Sequence, residues 1–188
     1  MSSPTHALLT TAPPELVAGA VAEPALVGRL DGWTVVGLSP HITSFPTETA
    51  TRISKATQHR VLGVLDLGST IAVCTAVNTS SATMMWSAGW QPPTGSGLTR
   101  FQKQWAANAG QLAAQLGRPE LTPQLADTLI LDPRPEVWPD LSTRVLLGVV
   151  DLLGIPREAL GVSAVDPGPL TDVVRAEPAA KRGLFRRR

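Results

Sequence analysis

Three aspartates are the residues of this chain best placed to do chemistry, because each follows a largely apolar run. Asp66 closes Val61-Leu62-Gly63-Val64-Leu65, Asp132 follows Thr128-Leu129-Ile130-Leu131, and Asp166 follows Leu160 to Val165. Were these runs neighbouring strands, their ends would gather three carboxylates, which are hard oxygen ligands suited to paired divalent metal ions and phosphodiester hydrolysis. The plainer alternative is that all three start turns, where Asp bonds its own backbone. Other chemistry is thinly represented. His6, His41 and His59 show no metal-ligand spacing and no Glu directly after them. Ser87 lacks the Gly two places earlier that a sharp-turn nucleophile needs. Cys74 is the sole cysteine, so an intrachain disulfide and a thiolate zinc site are both excluded. No cation lies within Ile71 to Val77 to activate it. No cofactor is expected.

The stretch Val64-Leu65-Asp66-Leu67-Gly68-Ser69-Thr70-Ile71-Ala72-Val73 is similar to the first phosphate-binding hairpin of actin-like and sugar-kinase-like ATPases. The resemblance implies that Gly68 admits phosphate, Ser69 or Thr70 donates to it, and Asp66 holds Mg²⁺ through water. It is confined to this one hairpin, no second phosphate loop follows, and Asp-x-Gly-Ser is also what an ordinary hairpin looks like. From Val61 onward the chain can also be threaded along an RNase-H-like nuclease, with strands at 128–131 and 160–165. That resemblance implies Asp66, Asp132 and Asp166 as metal-binding carboxylates. Against it, Thr122-Pro123 opens a helix where the fourth strand is needed.

The charge distribution also counts against a nucleic-acid enzyme. Residues 181–188 hold five of the 16 basic side chains, which leaves 11 basic against 15 acidic in the rest, a formal −4. The body is therefore mildly acidic and a poor match for a phosphate backbone. The tail residues Lys181, Arg182, Arg186, Arg187 and Arg188, with Leu184-Phe185 among them, are where weak contact with an anionic membrane or a nucleic acid would arise. No apolar run reaches the ~20 residues of a membrane span. Met1 to His6 has no basic region ahead of an apolar core, so the cytoplasm is the expected compartment.

What remains is an aromatic and thioether surface. Met85, Trp86, Trp90 and Trp138 suit protein contacts, where Trp and Met are enriched. The leading reading is a non-enzymatic protein-interaction module (adaptor, chaperone or immunity-like) whose partner is another protein. The alternative is the metal-dependent nuclease. The competing structural reading of Trp86 is a seam with Trp105 between sheet and helix.

Periodicity and turn chemistry predict the scaffold on which these residues stand. Charged residues are only 16% of the chain, below the usual share of about 25%, so it has the apolar content to fold as one domain. Val61–Leu65, Thr70–Val77 and Ala82–Trp90, joined by two tight turns, predict an antiparallel meander. Trp33–Leu38 predicts a strand, and Thr47–His59 a helix. Leu98, Phe101, Trp105, Ala109, Leu112 and Leu116 form one helical stripe that Gly117 ends. Helices are also expected at Pro123–Leu131 and Leu141–Leu153, with a helical turn at Pro156–Leu160. The expected architecture is α+β: a meander sheet of about four strands, helices packed on one side, and C-terminal helices closing the core. Residues 1–28 are expected to be a loosely ordered arm, 29–166 the globular domain, and 167–188 a disordered basic tail.

Overall fold

The computed structural model describes residues 5–39, 47–87, 93–129 and 138–176. Its strands are β1 (Thr5–Thr10), β2 (Ala25–Leu30), β3 (Trp33–Leu38), β4 (Val61–Asp66), β5 (Thr70–Val77), β6 (Ser80–Ser87) and β7 (Thr171–Ala176). Its helices are α1 (Pro14–Ala20), α2 (Thr47–Thr57), α3 (Ser96–Leu116), α4 (Thr122–Leu129) and α5 (Trp138–Leu152), with 3₁₀ turns at Pro119–Leu121 and Arg157–Gly161. Among the described residues the strands form one seven-stranded sheet, in the order β6-β5-β4-β1-β3-β2-β7. Every pairing is antiparallel.

The α+β class and the antiparallel β4-β5-β6 meander match the expectation, but the sheet is larger than the four strands anticipated. Helices also cover both faces, not one. Leu9, Val35, Leu62, Val64, Ile71, Val73, Met84 and Trp86 are buried together with Ala109 and Leu112 of α3, Leu125 and Leu129 of α4, and Val149 and Val150 of α5. On the other face Leu8, Val27, Val36, Val61 and Cys74 meet Val17 and Ala20 of α1 and Ala50 and Ile53 of α2. A sheet covered twice hides its side-chain alternation, because both sets of residues must be apolar. That is why the strand count was underestimated.

Both ends of the chain depart from expectation. The supposed arm supplies β1, the middle strand, with Ala7, Leu8 and Leu9 wholly buried. It also supplies α1, opened by Pro14 at its first position, and β2. Residues 171–176, expected to be disordered, form the edge strand β7 on β2. The rest of the expected tail, 177–188, lies outside the described residues.

The chain returns to that edge by crossing the sheet. The Ala164 N–H donates to the Leu38 carbonyl at 3.1 Å. Gly37 lies so close beneath this segment that a Cβ there would come within 2.7 Å of the Ser163 backbone. Helix ends follow the sequence signals closely. Gly117 is left-handed at φ 75, its N–H bonding Ala114 O while that of Arg118 bonds Ala113 O. Gly154 repeats the arrangement after α5, with Ile155 bonding Val150 O. Both are Schellman closures, in which glycine avoids the steric penalty of the left-handed residue.

Candidate interaction surface

The aspartate trio does not find the strands it needs. Thr128 and Leu129 end α4, and 160–165 is the end of the second 3₁₀ turn followed by irregular backbone, so neither of these two required strands forms where described. Asp132 falls outside the described residues. Asp66 and Asp166 each accept a hydrogen bond from the glycine N–H two residues on, at 2.7 Å to Gly68 and 2.9 Å to Gly168. These are Asx turns, the local use of Asp that needs no metal. Among the described residues no group of three acidic, His or Cys side chains is arranged to hold a metal ion. The Gly68 hairpin is likewise an ordinary connection between β4 and β5.

Cys74 is buried on the α2 face, and burial pushes its thiol up to about 12 against a weaker opposing hydrogen bond from the Gly63 backbone. It is inert in the folded protein. His6, anticipated in a loose arm, stands on β1 at 2% exposure with neither ring nitrogen hydrogen-bonded. Burial lowers its pKa from the ordinary value, while the charge of Asp66 opposes the shift more weakly.

Trp86 leaves the expected surface for the core. It is 2% exposed and meets Trp105 edge-on, with centroids 5.2 Å apart at 72°. That is the favourable geometry for two aromatic quadrupoles. The Trp105 indole N–H donates to Leu129 O at 3.0 Å, whereas that of Trp86 is buried without an acceptor. Met85, the next residue along, points the opposite way and is 60% exposed. Trp90 and the tail residues Lys181, Arg182, Arg186, Arg187 and Arg188 lie outside the described residues, and Trp138 is placed only as the first residue of α5.

Sequence reasoning missed the backbone of β6 itself. β6 is the outermost strand on its side, and all eight of its residues pair with β5, from Val77↔Ser80 to Thr70↔Ser87, without a bulge. Only Asn78 and Thr79 separate the first pair, so Val77 and Ser80 must exchange both backbone hydrogen bonds. Antiparallel pairs then alternate. Ser81, Thr83, Met85 and Ser87 therefore turn their N–H and C=O groups outward. Nothing in β6 is charged and nothing is proline. Charge, proline and a bulge, three of the usual devices that blunt an edge strand, are absent from β6.

Among the described residues no helix is long and apolar enough to cross a membrane. No protein family, characterised protein or solved structure matches this chain.

Proposed function

We propose that this chain is a non-catalytic protein-interaction module that accepts an extended segment of a partner protein along the outer edge of β6. The observation that carries the reading is the unblunted edge: outward N–H and C=O groups at Ser81, Thr83, Met85 and Ser87, with no charge or bulge to repel a further strand. Main-chain hydrogen bonds would supply most of the affinity, and side chains on alternate positions the selectivity. Met85, exposed beside Thr83 and Ser87, is the apolar contact that a partner residue would cover. The binding surface expected from the tryptophans thus becomes a strand edge, with Trp86 and Trp105 as its rigid support.

Thr83→Pro deletes one outward N–H, and Met85→Lys places a charge on the edge. Both are expected to leave the circular dichroism spectrum and melting temperature close to those of the parent. Both should also abolish capture of whatever protein the parent retains from its native host. Retention of the same protein by both folded variants would refute the edge as the binding surface.

A further inference from the structure

A second site lies on the α3 face of the sheet, where the ends of three strands and one helix leave a gap. Leu9, Trp33, His59, Arg60, Leu62 and Leu116 are among the residues surrounding a cleft of about 350 Å³. Its floor is apolar, with Leu9 and Leu62 fully buried. Its polar groups are concentrated in the short loop between α2 and β4. Among the described residues no carboxylate lines it.

Two observations show that this loop is built and not merely exposed. The hydroxyl of Ser54, wholly buried, donates to His59 O at 2.6 Å and accepts from the Asn78 N–H at 2.8 Å. Ser54 thereby ties the loop to the β5-β6 turn. His59 Nδ1 lies 2.7 Å from Thr57 O. A carbonyl only accepts, so Nδ1 carries a proton in this contact and the ring is held in one orientation. The main chain and the ring of His59 are fixed before any ligand arrives, which lowers the entropic cost of binding.

Arg60 is held as well. A Cβ on Gly117 would sit 2.9 Å from Arg60 Cζ and 3.1 Å from both terminal nitrogens, so the guanidinium rests directly on the glycine that closes α3. The carbonyl end of a helix favours a cation there. Yet Arg60 joins none of the ion pairs found among the described residues, which link Arg52 to Glu48, Arg118 to Glu120 and Arg157 to Asp151. Among the described residues no carboxylate satisfies its fork of N–H donors.

We infer that the cleft binds a small organic anion, a carboxylate on a compact aromatic body, with the carboxylate on Arg60 and the rings against Trp33, Leu62 and Leu116. An apolar floor with a few convergent polar groups is the usual composition of a small-molecule site, and 350 Å³ falls within the usual size range. A cavity of about 150 Å³ admits benzene, so this cleft has room for a fused two-ring body and its acid. Arginine meets a carboxylate through two parallel hydrogen bonds, which lysine cannot reproduce.

The probe is 2-naphthoate, titrated calorimetrically into the full chain, with its neutral amide and inorganic phosphate alongside. Saturable one-to-one binding is expected for naphthoate. The amide should bind at least tenfold more weakly to the unaltered protein, and phosphate alone should not compete. Arg60→Gln, checked for an unchanged melting curve, should weaken naphthoate at least tenfold, and Arg60→Lys should restore only part of that loss. The site is refuted if naphthoate fails to bind at millimolar concentration, if the amide binds equally well, or if phosphate displaces it. A folded Arg60→Gln protein of unchanged affinity would equally refute it.

Discussion

β6 and β7 close the same sheet at opposite edges, and they are finished differently. β7 carries Asp172 and Arg175 within its six residues, Asp172 takes a positive φ of 51, and its register with β2 slips between Val27 and Arg29. Charge and a bulge are two of the ways proteins keep an edge from recruiting further strands. β6 has neither, and it holds its register along its whole length. The two strands are also anchored unequally. β6 buries Met84 and Trp86 beneath α3, whereas five of the six β7 residues are exposed. A well-anchored edge can offer its backbone to a partner without itself coming loose. A weakly anchored one needs protection.

The largest consequence concerns that anchoring. Trp86→Ala should lower the unfolding free energy by about 3–5 kcal/mol, whereas Val174→Ala on β7 should cost less than about 1 kcal/mol. Urea denaturation measures both, and equal losses would erase the distinction between the edges. Trp86→Phe should cost well under the alanine value, since it keeps most of the apolar area and removes an indole N–H that is buried without an acceptor.

Next in size is the seat of β7. A Cβ at Gly28 would approach Thr171 O to 2.8 Å, so Gly28→Ala should destabilise by about 1–3 kcal/mol. Amide protection should fall in β7 and stay unchanged in β6. A uniform loss of protection would show that the two edges are not independent.

The middle of the sheet supplies a pH-dependent control on both edges. The pKa of His6 is lowered on folding, so the unfolded chain takes up a proton at higher pH than the native one does. The stabilisation is present above the ordinary value of 6.5 and declines as pH falls below it toward the folded pKa. The slope there should approach ~1.4 kcal/mol per pH unit. Melting curves between pH 7 and 5 (about the range over which histidine titrates) should be flatter for His6→Leu than for the parent. Parallel curves would mean that His6 protonates freely in the fold.

The smallest effect is the most local. In the isolated protein the amides of Ser81, Thr83, Met85 and Ser87 should exchange with deuterium faster than those of Ala82, Met84 and Trp86, which bond β5. Slow exchange at the outward set would mean that the edge of β6 is already covered, and the comparison with β7 would then have to be redrawn.

Much of the scaffold is legible in order along the chain. The β4-β5-β6 meander is written in apolar runs and tight turns, and α3 in a stripe ended by Gly117. The burial of that stripe is uneven, because Ala109 and Leu112 lie under the sheet whereas Leu98 remains 36% exposed. The opposed directions of Met84 and Met85 follow from strand alternation alone. β1 was illegible because Ala7, Leu8 and Leu9 show no alternation when helices press on both faces. β7 was illegible because Thr-Asp-Val-Val-Arg-Ala becomes a strand only by pairing with β2, as in Ala25↔Ala176. The cleft at Arg60 has no local signature at all. It is assembled from loop 58–60, the ends of β1, β3 and β5, and the end of α3.

The local grammar is written in the amino-acid order: where glycine stops a helix, which turns are tight, and that a lone cysteine can form no intrachain disulfide. Those outcomes depend on residues within a few positions of one another, where steric preference and hydrogen-bonding capacity act directly. Tertiary packing settles which strands lie at the edges, that Trp86 belongs to the core, and that Arg60 stands over an apolar floor with no counter-ion among the described residues. Each depends on which distant segment packs alongside, and that choice is made by the burial of the whole apolar surface at once.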